Sequence, residues 1–168
     1  METLKNVENI KKSIAIFLEM ENIKFTTVED NERRVLLHIN HNFNQGMMGY
    51  YIDYQIKNNL IQFMSYTNQI IPEAKRAEVQ AYYSRVNDNN THWGAIHLNV
   101  ETGGTFSRSS LLVDEMEDVN TTLIARCFSI NYFNLQNYFE GAMKIGYGNH
   151  TAEEIYREII NAVDERMN

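Results

Sequence analysis

YYIDYQIKNNLIQFMSYT, residues 50–67, decides how the chain is read. Ile52, Tyr54 and Ile56 fall on one side of an extended backbone and Asp53, Gln55 and Lys57 on the other, because successive side chains of a strand point to opposite faces. Asn58-Asn59 is a pair that tolerates the positive φ of a tight turn, and residues 60–67 are apolar enough on both sides to lie inside a sheet. The stretch predicts an antiparallel hairpin with a buried face. The rest of the chain has to supply further strands and a cover.

Upstream, residues 41–49 are polar and contain glycine, and they read as a loop. Before them, Val35, Leu37 and Ile39 alternate with Leu36 and His38, and the turn residues Asp30-Asn31-Glu32 join this strand to one around Phe25–Val28. The first twenty residues place Leu4, Val7, Ile10, Ile14, Phe17 and Leu18 at three- and four-residue steps, the stripe of an amphipathic helix ending near Asn22.

Downstream, Pro72 and Glu73 suit the first turn of a second helix, with Val79, Tyr82, Tyr83 and Val86 on one face and Asn87-Asp88-Asn89-Asn90 at its end. Ile96, Leu98 and Val100 alternate with Ala95, His97 and Asn99; Gly103-Gly104 turns the chain, and residues 105–112 return. Over 120–143, Ile124, Phe128, Tyr132, Leu135, Phe139 and Met143 mark a long core helix, stopped by Gly146 and Gly148. Thr151-Ala152-Glu153-Glu154 has the spacing of a capping box and opens a last helix through Ile155, Ile159, Val163 and Met167. The predicted fold is α+β over a single domain, residues 1–168: an antiparallel β-sheet covered by helices, in the order α-ββββ-α-ββ-α-α.

Composition narrows the function. With 168 residues, 43% of them hydrophobic, the chain can bury a core without disulfides or a structural metal. Cys127 has no second cysteine to pair with, and no apolar signal core follows METLKNVENIKK, so a cytoplasmic location is expected. No run of apolar residues is long enough to span a membrane. A net charge of -7 repels phosphate backbones, and basic residues pair only at Lys11-Lys12, Arg33-Arg34 and Lys75-Arg76, so nucleic acid is not an expected partner.

No catalytic residue, cofactor or metal site is predicted. His38 and His41, and His92 and His97, lack the closed set of four ligands that zinc takes, and alternation makes His38 and His97 surface residues. Cys127 sits in an apolar stripe without a neighbouring His or Lys to stabilise a thiolate. Ser107, Ser109 and Ser110 lie outside any nucleophile elbow, and Gly103-Gly104 lacks the lysine and helix of a phosphate loop. Asp114, Glu115, Glu117 and Asp118 precede a helix, where its dipole favours acid. Arg108 shares a face with Phe106, so either a bulge re-aims it or its guanidinium is partly buried, in an ion pair or against a ligand. Met47, Met48, Tyr50 and Tyr51, with Trp93 on the same side of the sheet, form the candidate protein-binding surface, since flexible methionine and amphipathic tyrosine suit an adaptable contact.

The opening helix with Ile14, Phe17 and Leu18, the Ile70-Ile71-Pro72 step, the segment 82–87, the strand 93–98 and the Gly104-Thr105-Phe106-Ser107-Arg108 return together resemble the bacterial YbjN family, which has the fold of type III secretion chaperones. The resemblance implies a non-enzymatic, chaperone-like or regulatory module that binds a protein or polypeptide partner, as a homodimer. The extra helix from Thr151 and the polar segment 41–49 depart from the minimal pattern. The alternative is a small-molecule sensor or enzyme with a pocket between the sheet and the long helix, lined by Tyr132, Tyr138 and Arg108.

Overall fold

The computed structural model describes residues 2–43, 46–90, 94–113 and 119–167. Helix α1 (Glu2–Met20) leads into strands β1 (Thr26–Asp30), β2 (Arg34–Phe43), β3 (Gly46–Gln55) and β4 (Leu60–Ile70). Helix α2 (Arg76–Asn90), strands β5 (Ala95–Leu98) and β6 (Gly104–Leu112), and helices α3 (Thr121–Tyr147) and α4 (Ala152–Met167) complete the chain. The strands form one antiparallel sheet in the order β1-β2-β3-β4-β6-β5, so the second hairpin extends the first four strands with its later strand inside and β5 at the edge. This is the predicted α+β class and element order.

Local chemistry accounts for the turns. Asn59 adopts the left-handed conformation (φ 49°) expected of the Asn58-Asn59 pair, after a short 3-10 turn over Ile56–Asn58. At the first hairpin, Asn31 Oδ1 accepts from the backbone N–H of Arg33 and Arg34. The capping box of α4 is formed: Thr151 N–H donates to Glu154 Oε2 (2.8 Å) and Glu154 N–H to Thr151 Oγ1 (3.3 Å).

Two expectations change. The segment 41–49 is not a loop: β2 and β3 stay paired out to Phe43 and Gly46. A ladder bonds through the backbone, so strands can run past the edge of the core with polar side chains. Helix α2 also continues beyond Val86 through all four turn-forming residues to Asn90. The Asn87 amide reaches from this end of the helix to β5: Nδ2 donates to the Ile96 carbonyl (2.8 Å) and Oδ1 accepts from Ile96 N–H (3.0 Å). One side chain thus stands where a further strand would pair.

The helices build two buried clusters on one face of the sheet. Ile10, Ile14, Phe17 and Leu18 of α1 pack with Leu37, Ile39, Ile52, Ile61 and Phe63 of the first strands, and α3 adds Ile124. Val79, Tyr82, Tyr83 and Val86 of α2 meet Ile96 of β5 and Ala152 and Ile155 of α4, with α3 adding Leu135, Phe139, Ala142 and Ile145. Helix α3, 27 residues long, is therefore the spine common to both clusters. Gly141 lets it approach α2 and α4, since a Cβ there would run into the Tyr82 hydroxyl and Ile155.

Candidate functional site

Tyr50 and Tyr51 are neighbours in sequence and lie on opposite faces of the sheet. Tyr50 is 1% exposed. Its hydroxyl donates to the Phe128 carbonyl (3.1 Å) and lies 3.2 Å from Asn131 Nδ2. Asn131, wholly buried on α3, also donates to the Phe63 carbonyl (2.7 Å) and Ser109 Oγ (3.0 Å), while its amide oxygen accepts from Ser107 Oγ (3.1 Å). Ser65 Oγ donates to the Asn131 backbone carbonyl (3.1 Å) and Ser109 Oγ to that of Cys127 (3.1 Å). Three inward serines on β4 and β6 thus let α3 come close and fasten it to the sheet. Every polar atom named there has a partner, as a low-dielectric interior requires. Burial pushes the Tyr50 hydroxyl well above its ordinary pKa and raises the Cys127 thiol.

The opposite face is open. Strand registers place side chains abreast in rows: Leu36, Asp53, Gln62 and Ser110; then His38, Tyr51, Met64 and Arg108; then Gly49, Tyr66, Phe106 and His97. Among the described residues, the ring contacts and side-chain bonds of these rows run along the face. Tyr51 stacks on Tyr66 (centroids 5.3 Å apart) and His38 lies 4.7 Å from Tyr51. The His38 Nε2 and Tyr66 hydroxyl are 2.9 Å apart, and His97 stacks on Phe106 at 5.2 Å. Gly49 is required here, because a Cβ would run into the Tyr66 ring that lies across it. Burial, with the hydrogen bond to Tyr51, pushes the Tyr66 hydroxyl up to about 12, and burial, with the charge of Arg108, lowers His97.

A hollow of about 260 Å³ opens in this face, lined by Val28, Leu36, Tyr51, Met64 and the polar groups of Arg34, Asp53, Gln62 and Arg108. All of these are strand residues. Arg34 grips Asp53 with two parallel bonds, Nε to Oδ1 at 2.7 Å and a terminal nitrogen to Oδ2 at 3.0 Å, and Glu29 lies 3.6 Å away. Val28 is the extra residue where the β1–β2 register shifts, and it is 57% exposed at the hollow's rim.

The predicted site residues divide accordingly. Tyr51 is on the open face, and Tyr50 belongs to the core, because alternation separates adjacent residues. The side chains of Met47 and Met48 and the whole of Trp93, like Asp114, Glu115, Glu117 and Asp118, lie outside the described residues. Arg108 does share a face with Phe106, but that face is the outer one. Its guanidinium is exposed and makes no salt bridge among the described residues, in place of the buried ion pair expected. It cannot line a pocket under α3, where Tyr132 and Tyr138 are half-buried, so the alternative pocket loses its charged member. Asn131 and the serine row were missed. Asn131 reads as a polar break in an apolar helix, and the serines pair with it only across 22 to 66 residues of chain. Among the described residues, no group of His, Cys, Asp and Glu could hold a metal, and no helix is long and apolar enough to cross a membrane.

No protein-family model matches the chain, and no curated protein does. Among solved structures the chain is similar to YbjN from E. coli, at 16% identity over 93% of this chain and 92% of that one, with a TM-score of 0.48. That likeness concerns the fold alone.

Proposed function

We propose that this chain is a polypeptide-binding module, not an enzyme, and that its binding surface is the open face of the sheet. The observation behind this reading is that the helices' buried clusters lie on one side of six strands, while the other side presents Leu36, Tyr51, Met64, Tyr66 and Phe106, none of them fully buried. A patch of partly exposed aromatic and apolar side chains spread over neighbouring rows is the kind of surface that protein contacts use. Its rings are held in place by one another, so little ordering is lost when a partner arrives.

A benzophenone amino acid placed at Tyr51, and separately at the exposed Phe133 of α3, tests the face in the native cell. Crosslinks to polypeptide from position 51 and not from 133 are the expected result. Equal crosslinking from both positions, or none from 51, would sink the assignment. Sedimentation equilibrium decides separately whether two copies associate, as the family resemblance implies.

A further inference from the structure

The charges of the open face are unequally answered. Arg34 has Asp53 in a two-bond grip and Glu29 beside it. Arg108 has neither. Its cross-strand neighbours are Met64 and Ala95, its own strand places Phe106 and Ser110 two residues to either side, and the next positions diagonally are Gln62, Tyr66 and His97. No carboxylate stands among them, in a chain with 22 acidic residues against 15 basic ones. The hollow runs between these two arginines, with Leu36, Tyr51 and Met64 around it.

An acid that entered the hollow would find one guanidinium already neutralised and the other open. A planar guanidinium can meet a carboxylate through two parallel bonds, and partial shelter by apolar walls strengthens such a bond beyond its value in free solvent. Asp53 and Glu29 at the other end repel a second acid and favour an apolar group there. The row through Tyr51 also runs on across all six strands, from Thr26 to Ala95, about 24 Å at the usual strand spacing, further than a small molecule reaches.

Resting on the reading of the open face as a polypeptide-binding surface, we propose that this hollow takes an acidic side chain of an extended polypeptide. Its carboxylate sits on the Arg108 guanidinium and the apolar side chain beside it lies against Leu36, Tyr51 and Met64.

The test is an NMR titration of the whole ¹⁵N-labelled chain with three probes: an end-blocked peptide of leucine and aspartate, the same peptide with asparagine for aspartate, and sodium hexanoate. The acidic peptide is expected to shift the amide resonances of Leu36, Tyr51, Met64 and Arg108. It should bind roughly tenfold tighter than the asparagine peptide, as loss of one charge-assisted bond predicts. In R108Q the two peptides should bind alike, at the weaker level, and R108K should keep part of the difference because it keeps the charge. Arg108 is exposed, so these variants fold. Equal binding of both peptides to the native chain, or an unchanged preference in R108Q, overturns the role of Arg108 while leaving the face a peptide site. Shifts from hexanoate with none from either peptide overturn the polypeptide as occupant. If no probe shifts any resonance of the face, the broader reading fails with it.

Discussion

Tyr50 and Tyr51 put the two faces of one sheet side by side. Beneath the helices, the polar atoms around Asn131 are each matched to a named partner and the small serines are matched to the close approach of α3. On the open side, rings lean on rings, and among the described residues one arginine is paired and another is not. The covered face has few alternatives left to it, which is what makes a single fold. The open face retains unused bonding capacity, which is what makes a surface able to accept something else. The same alternation of side chains produces both.

The comparison breaks first, if it breaks, at Asn131. N131L removes the amide that serves Ser107, Ser109, Tyr50 and the Phe63 carbonyl, leaving buried groups without partners. A loss of about 3 kcal/mol is expected in urea denaturation. A loss below about 1 kcal/mol, within the range of one ordinary hydrogen bond, would mean that the two faces are less different than their bonding suggests. The paired substitution sharpens it further. Y50F should cost about 1 kcal/mol through the bonds to Phe128 and Asn131, and Y51F should stay within about 0.5 kcal/mol, measured in the same experiment. M64Q, on the open face alone, should leave the urea midpoint nearly unchanged while weakening the acidic peptide.

The smallest effect belongs to neither face. Glu154 is exposed, and its bonds with Thr151 hold its carboxyl below the ordinary value of 4.5. A carboxyl with a lowered folded pKa adds stability above its unfolded pKa and loses it as pH falls through the folded one. E154Q should therefore lower the Tm slightly at neutral pH, with the gap to the native chain closing below about pH 4.5. A constant gap across that range would deny the cap its charge.

The strands were legible wherever alternation is clean, as over Tyr50–Ile56, and the capping box was legible because its chemistry is local. Beta6 was harder. Its inward residues are Thr105, Ser107 and Ser109 and its outward ones Phe106 and Arg108, the reverse of what polarity suggests. The reversal depends on Asn131 arriving from a helix more than twenty residues later, and a pattern within one strand contains no trace of that partner. The misplacement of Arg108 follows from the same inversion, since a phenylalanine beside it reads as a sign of burial. The strands beyond Asn40 were hidden for another reason: backbone pairing there needs no hydrophobic signal.

The Asn87 amide settles a matter of growth. A sheet with two bare edges can recruit strands at either end, and each addition exposes a new edge to the next, the geometry by which fibres lengthen. Here the β5 end is occupied by the protein's own side chain, with both backbone groups of Ile96 taken. A strand adding along β5 would first have to displace that amide.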